Sequence, residues 1–362
     1  MSKPAVMRVA VIVLVGVGLS AAAYIAPAYV VREEPKKSST GHLTVGGSSV
    51  VFFVMDKWKS TYRKEAGQDI DYYSTGSTDG IKQMIAGNYQ IGFTSAPMTD
   101  EQRKQAQDKG GAPIHIPVLL SAVVPIYNVK ELKDKPPLNF TGELLAKIFL
   151  GKIARWNDPA IAEINKGVDL PDTKIAVVHR GDASGTTFIF ADYLHGASET
   201  WKKEMGPAKN EFKWPVGVAQ PRNFAVAGHV GRTEGAIGYV ELLHALTNKL
   251  SYGAVQNKDK TGFIHCKPEN VTAAAKNHPA DRPELSFSLT NMPGKESYPI
   301  CAIDFAVCYQ TQPAAQQKQV KDFLQWVTHD GQKYTKDMHY APLPQELVAR
   351  AEEKLKSIKS VQ

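Results

Sequence analysis

Glycine stands beside serine or threonine at three points where a predicted strand gives way to a predicted helix. The segments are Gly46–Ser49, Thr75–Gly80 and Arg180–Thr187. The first backbone N–H groups of a helix have no partner within the helix and lie at the positive end of its dipole. Glycine lets a ligand approach the backbone, and a hydroxyl adds a further donor. Three such segments facing one cleft would form an anion site built from neutral donors.

The third segment also carries a charge pair. Arg180 presents a planar fork of donors suited to oxyanions, and Asp182 is near enough in sequence to orient that fork. A simpler explanation exists for each feature. Serine and threonine before a helix often act only as caps, and Arg180 with Asp182 could form an ordinary surface ion pair.

The elements that hold these segments follow an α/β pattern, because short β-branched runs alternate with amphipathic stretches. One apolar stripe runs from Val51 to Tyr62 and stops at Gly67, which predicts a helix. Two further stripes lie within 188–194 and 320–327. The predicted strands are Ile70–Tyr73, Ile91–Thr94, Ile116–Val129, Ile175–His179, Ala236–Val240 and Ala302–Tyr309.

Composition narrows the class of protein. The 362 residues are 43% hydrophobic and 22% charged, which excludes a disordered chain, a collagen-like repeat and a polytopic membrane protein. The net charge of +7 is scattered rather than clustered, so we expect no nucleic-acid partner. No histidine pair has metal-ligand spacing, and the glycines around Ser184 do not fit a nucleophile elbow. We therefore expect no metal, no cofactor and no enzymatic activity, and we expect His179 to be a packing residue.

The first 31 residues are a targeting segment. Lys3 and Arg8 precede an uncharged apolar run of membrane-spanning length, followed by small residues that suit cleavage. The segment is either a cleaved signal peptide or a retained N-terminal membrane anchor, and both place the rest outside the cytoplasm, in the periplasm. Residues 32–42 are polar and contain Pro35, which predicts a tether.

Export would permit disulfides, and the chain has three cysteines. Cys301 and Cys308 lie seven positions apart in one predicted strand, roughly 20 Å when extended, so they cannot bridge each other. Either Cys266 pairs with one of them, or all three are buried thiols.

At these residues the sequence resembles the phosphate-binding subunit of bacterial phosphate ABC importers, the PstS family. The resemblance runs from about Leu43 to about Leu347, with order and spacing retained throughout. The segments that carry it are Gly76–Gln83, Ile91–Pro97, Phe149–Ile153, Arg155–Asp158, Ile175–Arg180, Asp182–Thr186 and Gly235–Val240.

The resemblance implies a two-lobed, type II-like periplasmic-binding-protein fold with crossover strands as the hinge. Lobe one would comprise residues 43–124 and 300–362, and lobe two residues 125–299. It further implies a monomer that captures inorganic phosphate between the lobes and delivers it to a membrane permease. Asp182 would orient the arginine. The implied phosphate-binding residues are Ser49, Val50 through its backbone N–H, Ser77, Ser95, Arg180, Ser184, Gly185 and Thr186.

The sequence departs from the family pattern at three places. The family usually has an aromatic residue where Val50 stands, a change that leaves the backbone donor intact. Most relatives have an aspartate where this chain has Ser95. A carboxylate only accepts hydrogen bonds and so selects an ion that carries a proton, whereas serine also donates, which predicts weaker rejection of sulfate. Asp79 or Asp100 could replace that acceptor. The segment Gln220–Phe224 stands where relatives tend to have a glycine-rich turn.

Three alternatives stay open at this level. The protein could bind another oxyanion, such as sulfate or a phosphonate. It could be a secreted phosphatase on the same scaffold, with Ser184 as nucleophile. It could also be a surface scaffolding protein that has lost ligand binding.

Overall fold

The computed structural model describes residues 42–277 and 288–361. The predicted targeting segment and residues 32–41 of the tether lie outside the described residues. The strands are β1 His42–Gly47, β2 Asp69–Tyr73, β3 Ile91–Thr94, β4 Pro113–Asn128, β5 Asn139–Phe140, β6 Ala176–Arg180, β7 Val218–Gln220, β8 Ala236–Glu241, β9 Ser251–Tyr252, β10 Ala254–Gln256, β11 Phe263–Ile264, β12 Leu289–Thr290, β13 Ile300–Tyr309, β14 Thr311–Gln312 and β15 Lys359–Ser360.

Helices lie between most of the longer strands. The α-helices are α1 Phe52–Ala66, α2 Ser77–Ala86, α3 Asp100–Gly110, α4 Gly142–Phe149, α5 Pro159–Ile164, α6 Gly185–Ala197, α7 Glu199–Glu204, α8 Arg222–Arg232, α9 Leu242–Thr247, α10 Pro268–Lys276, α11 Ala314–Thr328 and α12 Gln345–Lys356. Short 3₁₀ turns occur at Lys130–Leu132, Asp330–Tyr334 and Lys336–Met338. The predicted α/β class is confirmed.

One sheet holds both parts of the molecule together, in the order β2-β1-β3-β13-β4-β8-β6-β7. In what we call the first half-sheet, β1 pairs in parallel with β2 and β3. In the second half-sheet, β6 pairs in parallel with β7 and β8. The antiparallel strands β4 and β13 lie between the two.

Strand β4 passes from one half-sheet to the other. Its residues up to Ala122 pair with β13, and from Val123 onward they pair with β8. Thr94, at the end of β3, pairs with Phe305, while Glu241, at the end of β8, pairs with Val123. The carboxyl ends of the parallel strands in both half-sheets therefore point toward the middle of β4. Ligands of α/β sheets bind beyond such carboxyl ends.

The predicted helical stripes are confirmed as core faces. Val54, Trp58 and Tyr62 of α1 are buried, and α1 ends at Gly67 in a left-handed conformation with a φ of 69°. The stripe of α11 is likewise buried, at Val320, Phe323, Leu324 and Val327. The Trp58 indole donates to the Gly331 carbonyl at 2.9 Å, which anchors α1 to the C-terminal part of the chain.

The cysteine alternatives are resolved in favour of thiols. Cys266, Cys301 and Cys308 are free and buried. Among the described residues, no helix combines the length and apolarity that crossing a bilayer requires.

Candidate functional site

The first two glycine–hydroxyl segments begin helices without capping them. Helix α1 follows Ser48 and Ser49, and α2 begins at Ser77, yet neither N-terminus receives a side-chain cap hydrogen bond. In the third segment the Ser184 hydroxyl accepts the Thr187 N–H at 3.3 Å, so Ser184 does cap α6. The capping explanation therefore applies to Ser184 but not to Ser49 or Ser77.

Arg180 lies at the carboxyl end of β6 as a buried, oriented cation. Its Nε donates to Asp182 Oδ1 at 2.7 Å and its Nη2 to Asp182 Oδ2 at 2.6 Å. The remaining nitrogen, Nη1, lies 3.4 Å from Thr186 Oγ1. The Arg180 side chain is only 2% exposed, which excludes the surface ion-pair explanation. Asp182 holds one edge of the guanidinium and leaves Nη1 directed toward Thr186.

Asn223, which the sequence analysis did not identify as a site residue, joins the segments. Its side-chain nitrogen donates to Ser49 Oγ and to Thr186 Oγ1, both at 3.1 Å. Its carbonyl oxygen accepts the Glu241 N–H at 3.3 Å. Asn223 is fully buried at the start of α8, within the segment that departs from the family pattern. In the sequence, only the unusual segment Gln220–Phe224 could have pointed to Asn223 as a site residue.

Further contacts bring the loops of the two half-sheets together. Arg222 Nη1 donates to the Ser74 carbonyl at 3.1 Å, and Asn210 donates to Thr78 Oγ1 at 3.2 Å. Gly185 packs so closely on the first half-sheet that a Cβ atom there would stand 2.5 Å from Ser77 Oγ. The three segments therefore converge at the carboxyl edge of the sheet.

We call the buried side chains of this convergence the donor cluster: Ser49, Ser77, Arg180, Thr186 and Asn223. Gly185 and Ser95 contact it, since the Ser95 N–H donates to Ser77 Oγ at 3.3 Å. The Val50 N–H donates locally, to Ser48 Oγ at 3.2 Å. Each sequence-predicted site residue thus lies in or beside one cluster.

Two cavities among the described residues lie elsewhere. One of about 780 Å³ is lined by residues such as Glu143, Asp192 and Lys258, and one of about 360 Å³ by residues such as Lys133 and Arg232. Neither is lined by a residue of the donor cluster. The candidate site is therefore identified by converging donors rather than by volume.

The ionisable groups around the cluster are strongly shifted by burial. Burial pushes the pKa of Asp182 upward, but the hydrogen bonds and charge of Arg180 outweigh it and lower that pKa below its usual value. Burial lowers the pKa of His244 to about 4, so its ring is neutral at pH 7. Burial also lowers the pKa of His179, whose ring stacks on Trp214 at 5.1 Å as a packing residue.

Asp304 on β13 is a further carboxyl group beside the cluster. It is fully buried and accepts hydrogen bonds from Ser95 Oγ and, at 2.6 Å, from Ser121 Oγ. Neither Asp79 nor Asp100 has this position: Asp79 accepts from Gln83 at 3.3 Å, and the Asp100 side chain is fully exposed. The carboxylate acceptor beside Ser95 is therefore Asp304, which lies 209 residues further along the chain.

Asp304 should make stability depend on pH in an unusual direction. Burial raises its pKa to about 6, while the two serine hydrogen bonds limit the rise. The folded state then holds this proton more tightly than the unfolded chain, whose aspartate pKa is about 3.9. The stabilising contribution is complete below pH ~4 and is lost as the pH rises through about 6.

We therefore expect Asp304→Ala to lose this pH dependence. The unfolding free energy of the unmodified protein minus that of the variant should fall by about 2 kcal/mol between about pH 4 and about pH 7. Denaturant titrations of both proteins without ligand measure it. Tyr72, Tyr340 and Glu241 interact electrostatically with Asp304, so the measured difference includes the loss of these interactions. A constant difference would show that Asp304 keeps one protonation state across this range.

Comparison with known proteins supports one family. Residues 33–330 match the family model of a PBP superfamily domain. The chain is 39% identical over 308 residues to the phosphate-binding protein PstS of Xylella fastidiosa strain 9a5c, covering 84% of this chain and 82% of the relative. It is 36% identical over 317 residues to PstS of Pasteurella multocida, covering 87% and 90%.

A solved structure shows the same fold. The phosphate binding protein from Stenotrophomonas maltophilia superposes with a TM-score of 0.63, at 18% identity, over 86% of this chain and 93% of that one. This likeness confirms the predicted two-lobed periplasmic-binding-protein fold. With two relatives more than 30% identical over most of their length, the chain belongs to the PstS family of phosphate-binding proteins.

Proposed function

We propose that this protein captures inorganic phosphate at the donor cluster and delivers it to the permease of an ABC importer. The observation that carries the proposal is the convergence of Ser49, Ser77 and Thr186 with one buried guanidinium at the carboxyl edge of the sheet. The relatives' name, phosphate-binding protein, agrees with a site of this chemistry.

The chemistry suits a small tetrahedral anion. Hydroxyl and backbone N–H donors replace the ion's water, and Arg180 supplies charge that Asp182 fixes in orientation. About seven donors at ~1.5–3 kcal/mol each give roughly 10–20 kcal/mol before association costs of several kcal/mol. Micromolar affinity needs only about 8 kcal/mol. Neither a metal nor a cofactor is required for such binding.

The proposed phosphate contacts extend beyond the donor cluster. We assign Ser95, Ser184, Gly185 and the backbone N–H of Val50 to the same ion. The predicted lobes, residues 43–124 with 300–362 and residues 125–299, would close on it about the β4 crossing. Because the closing loops exclude water, each hydrogen bond to the ion becomes stronger.

Cell location and activity follow from the same proposal. A targeting segment within residues 1–31 would place the protein in the periplasm, where a permease can receive the ion. The relatives are named as binding proteins rather than enzymes. In the phosphatase alternative the Ser184 hydroxyl would be the nucleophile. That hydroxyl instead accepts the Thr187 N–H and caps α6, which favours a binding role over catalysis.

Titration of the purified protein tests the proposal. Phosphate at 100 times its dissociation constant should add about 2.7 kcal/mol to the unfolding free energy, measurable as a rise in melting temperature. Calorimetry with phosphate and with sulfate should show tighter binding of phosphate. Sulfate is the comparison ligand, because it shares the charge and shape of hydrogen phosphate but carries no proton. Absence of a shift at millimolar phosphate would contradict phosphate capture.

A further inference from the structure

The side chain of Asp304 is fully buried on β13, in the middle of the main sheet. In the described chain, no lysine, arginine or histidine lies within ion-pair distance of Asp304, and its two hydrogen-bond partners are neutral serines. A buried, unpaired carboxylate is costly to a folded protein. The pairing of β13 with β4 also shifts register between Asp304 and Phe305, an irregularity of the kind that redirects side chains beside functional sites.

The hydrogen bonds around Ser95 fix the direction in which its hydroxyl points. Ser95 Oγ donates its single hydrogen to Asp304. Ser48 Oγ lies 2.9 Å from Ser95 Oγ and must be the donor of that pair, because the Ser95 hydrogen is already used. Ser95 Oγ then has one lone pair left and no hydrogen to give. Beside ionised Asp304, this serine can only accept.

Ser95 is also placed where a ligand of the donor cluster would meet it. Its N–H donates to Ser77 Oγ at 3.3 Å, and its Cβ would stand 2.9 Å from a Cβ built on Gly185. Its hydroxyl contacts Ser48 of the first segment. Ser95 therefore touches all three glycine–hydroxyl segments.

We infer that Asp304 is a specificity-determining positioning residue: by fixing the Ser95 hydroxyl as an acceptor, it selects oxyanions that carry a proton and rejects sulfate. The inference rests on the proposed function. In most relatives a carboxylate at the position of Ser95 would itself be the acceptor. Here the carboxylate lies one strand away and acts through the serine.

The selection depends on one hydrogen. Hydrogen phosphate and sulfate share charge and shape, so a general negative field does not separate them. The P–OH group of hydrogen phosphate can donate to the free lone pair of Ser95, whereas a sulfate oxygen would face that lone pair without a hydrogen between them. Sites built for one hydrogen bond reject an analogue that lacks it by about 10⁴-fold or more.

Calorimetric titration at about pH 8, where Asp304 is ionised, tests the inference. For the unmodified protein we expect phosphate to bind at least about 10³-fold more tightly than sulfate. Asp304→Ala frees the Ser95 hydroxyl to donate, and Ser95→Ala removes the acceptor. Each should lower the phosphate-to-sulfate affinity ratio by about 30-fold or more, with Asp304→Ala doing so mainly through tighter sulfate binding.

Two further variants separate selection from structural support. Asp100→Ala removes an exposed carboxylate of the same part of the chain and should leave the ratio unchanged. The double variant Ser95→Asp with Asp304→Ser places a carboxylate directly beside the donor cluster. It should restore the phosphate-to-sulfate affinity ratio of the unmodified protein. If Asp304→Ala does not fold, Ser95→Ala and the double variant decide the question.

The outcomes distinguish the two claims. An unmodified protein that binds no phosphate overturns the proposed function. An unmodified protein that binds phosphate but holds sulfate equally well overturns only the inference. An unchanged ratio in both Asp304→Ala and Ser95→Ala also overturns only the inference.

Discussion

Replacing Arg180 by alanine should weaken phosphate binding by about 10²- to 10⁴-fold, since each charge-assisted hydrogen bond to the anion contributes about 1.5–3 kcal/mol. The guanidinium is held on one edge by Asp182, with Nη1 directed toward Thr186. Without it, the Asp182 carboxylate faces the anion uncompensated and repels it. Calorimetric titration of the folded variant with phosphate measures the loss.

Stability has to be separated from affinity in this variant. Removing one partner of a buried ion pair costs a protein about 3–5 kcal/mol, and Arg180 is buried although Asp182 is 27% exposed. The double variant Arg180→Ala with Asp182→Ala removes both charges and should recover part of that stability without recovering affinity.

A matched surface pair provides the control. Arg155 bonds Asp172 at 2.5 Å, but both side chains are about half exposed or more. Arg155→Ala should leave phosphate affinity and unfolding free energy almost unchanged. If Arg180→Ala bound phosphate as tightly as Arg155→Ala does, Arg180 would not contact the ion.

The residues that sequence alone could place are those whose role is local. Gly46–Ser49, Thr75–Gly80 and Arg180–Thr187 each join a strand to a helix within a few residues, and strand and helix periodicity marks both sides. Arg180 and Asp182 are two positions apart, so their pairing also follows from local geometry. The long helices α1 and α11 are predictable for the same reason.

What sequence could not place depends on distant pairing. Asn223 lies 174 residues from Ser49 in the chain, and only the joining of the two half-sheets through β13 and β4 brings them together. Asp304 was visible as one carboxylate in an apolar strand, but its partner Ser95 became identifiable only from the pairing of β3 with β13. The two-residue strands β5, β9 and β11 are too short to show a period.

Gly185→Ala should weaken phosphate binding by about 10- to 100-fold while leaving the fold intact, because overpacking a tight contact costs roughly 1–3 kcal/mol. The nearest atoms that an added Cβ would meet all belong to Ser77 and Ser95, with Ser77 Oγ at 2.5 Å and Ser95 Cβ at 2.9 Å. Ser77 begins α2 and Ser95 directly follows β3, both beside the first half-sheet, whereas Gly185 begins α6 beside the second. The clash therefore arises only when the two sets of loops are together.

The contrast between binding and stability makes this variant informative. Alanine favours helix over glycine by about 1 kcal/mol, so the unliganded variant should unfold at the same or a slightly higher denaturant concentration. Gly262→Ala is the matched control, because no atom lies within 4 Å of a Cβ built there. Calorimetry with phosphate and denaturant unfolding without it measure the two effects. If Gly185→Ala bound phosphate as tightly as Gly262→Ala does, binding would not require the close approach of α6 to Ser77. The proposal that the loops close over the ion would then be wrong.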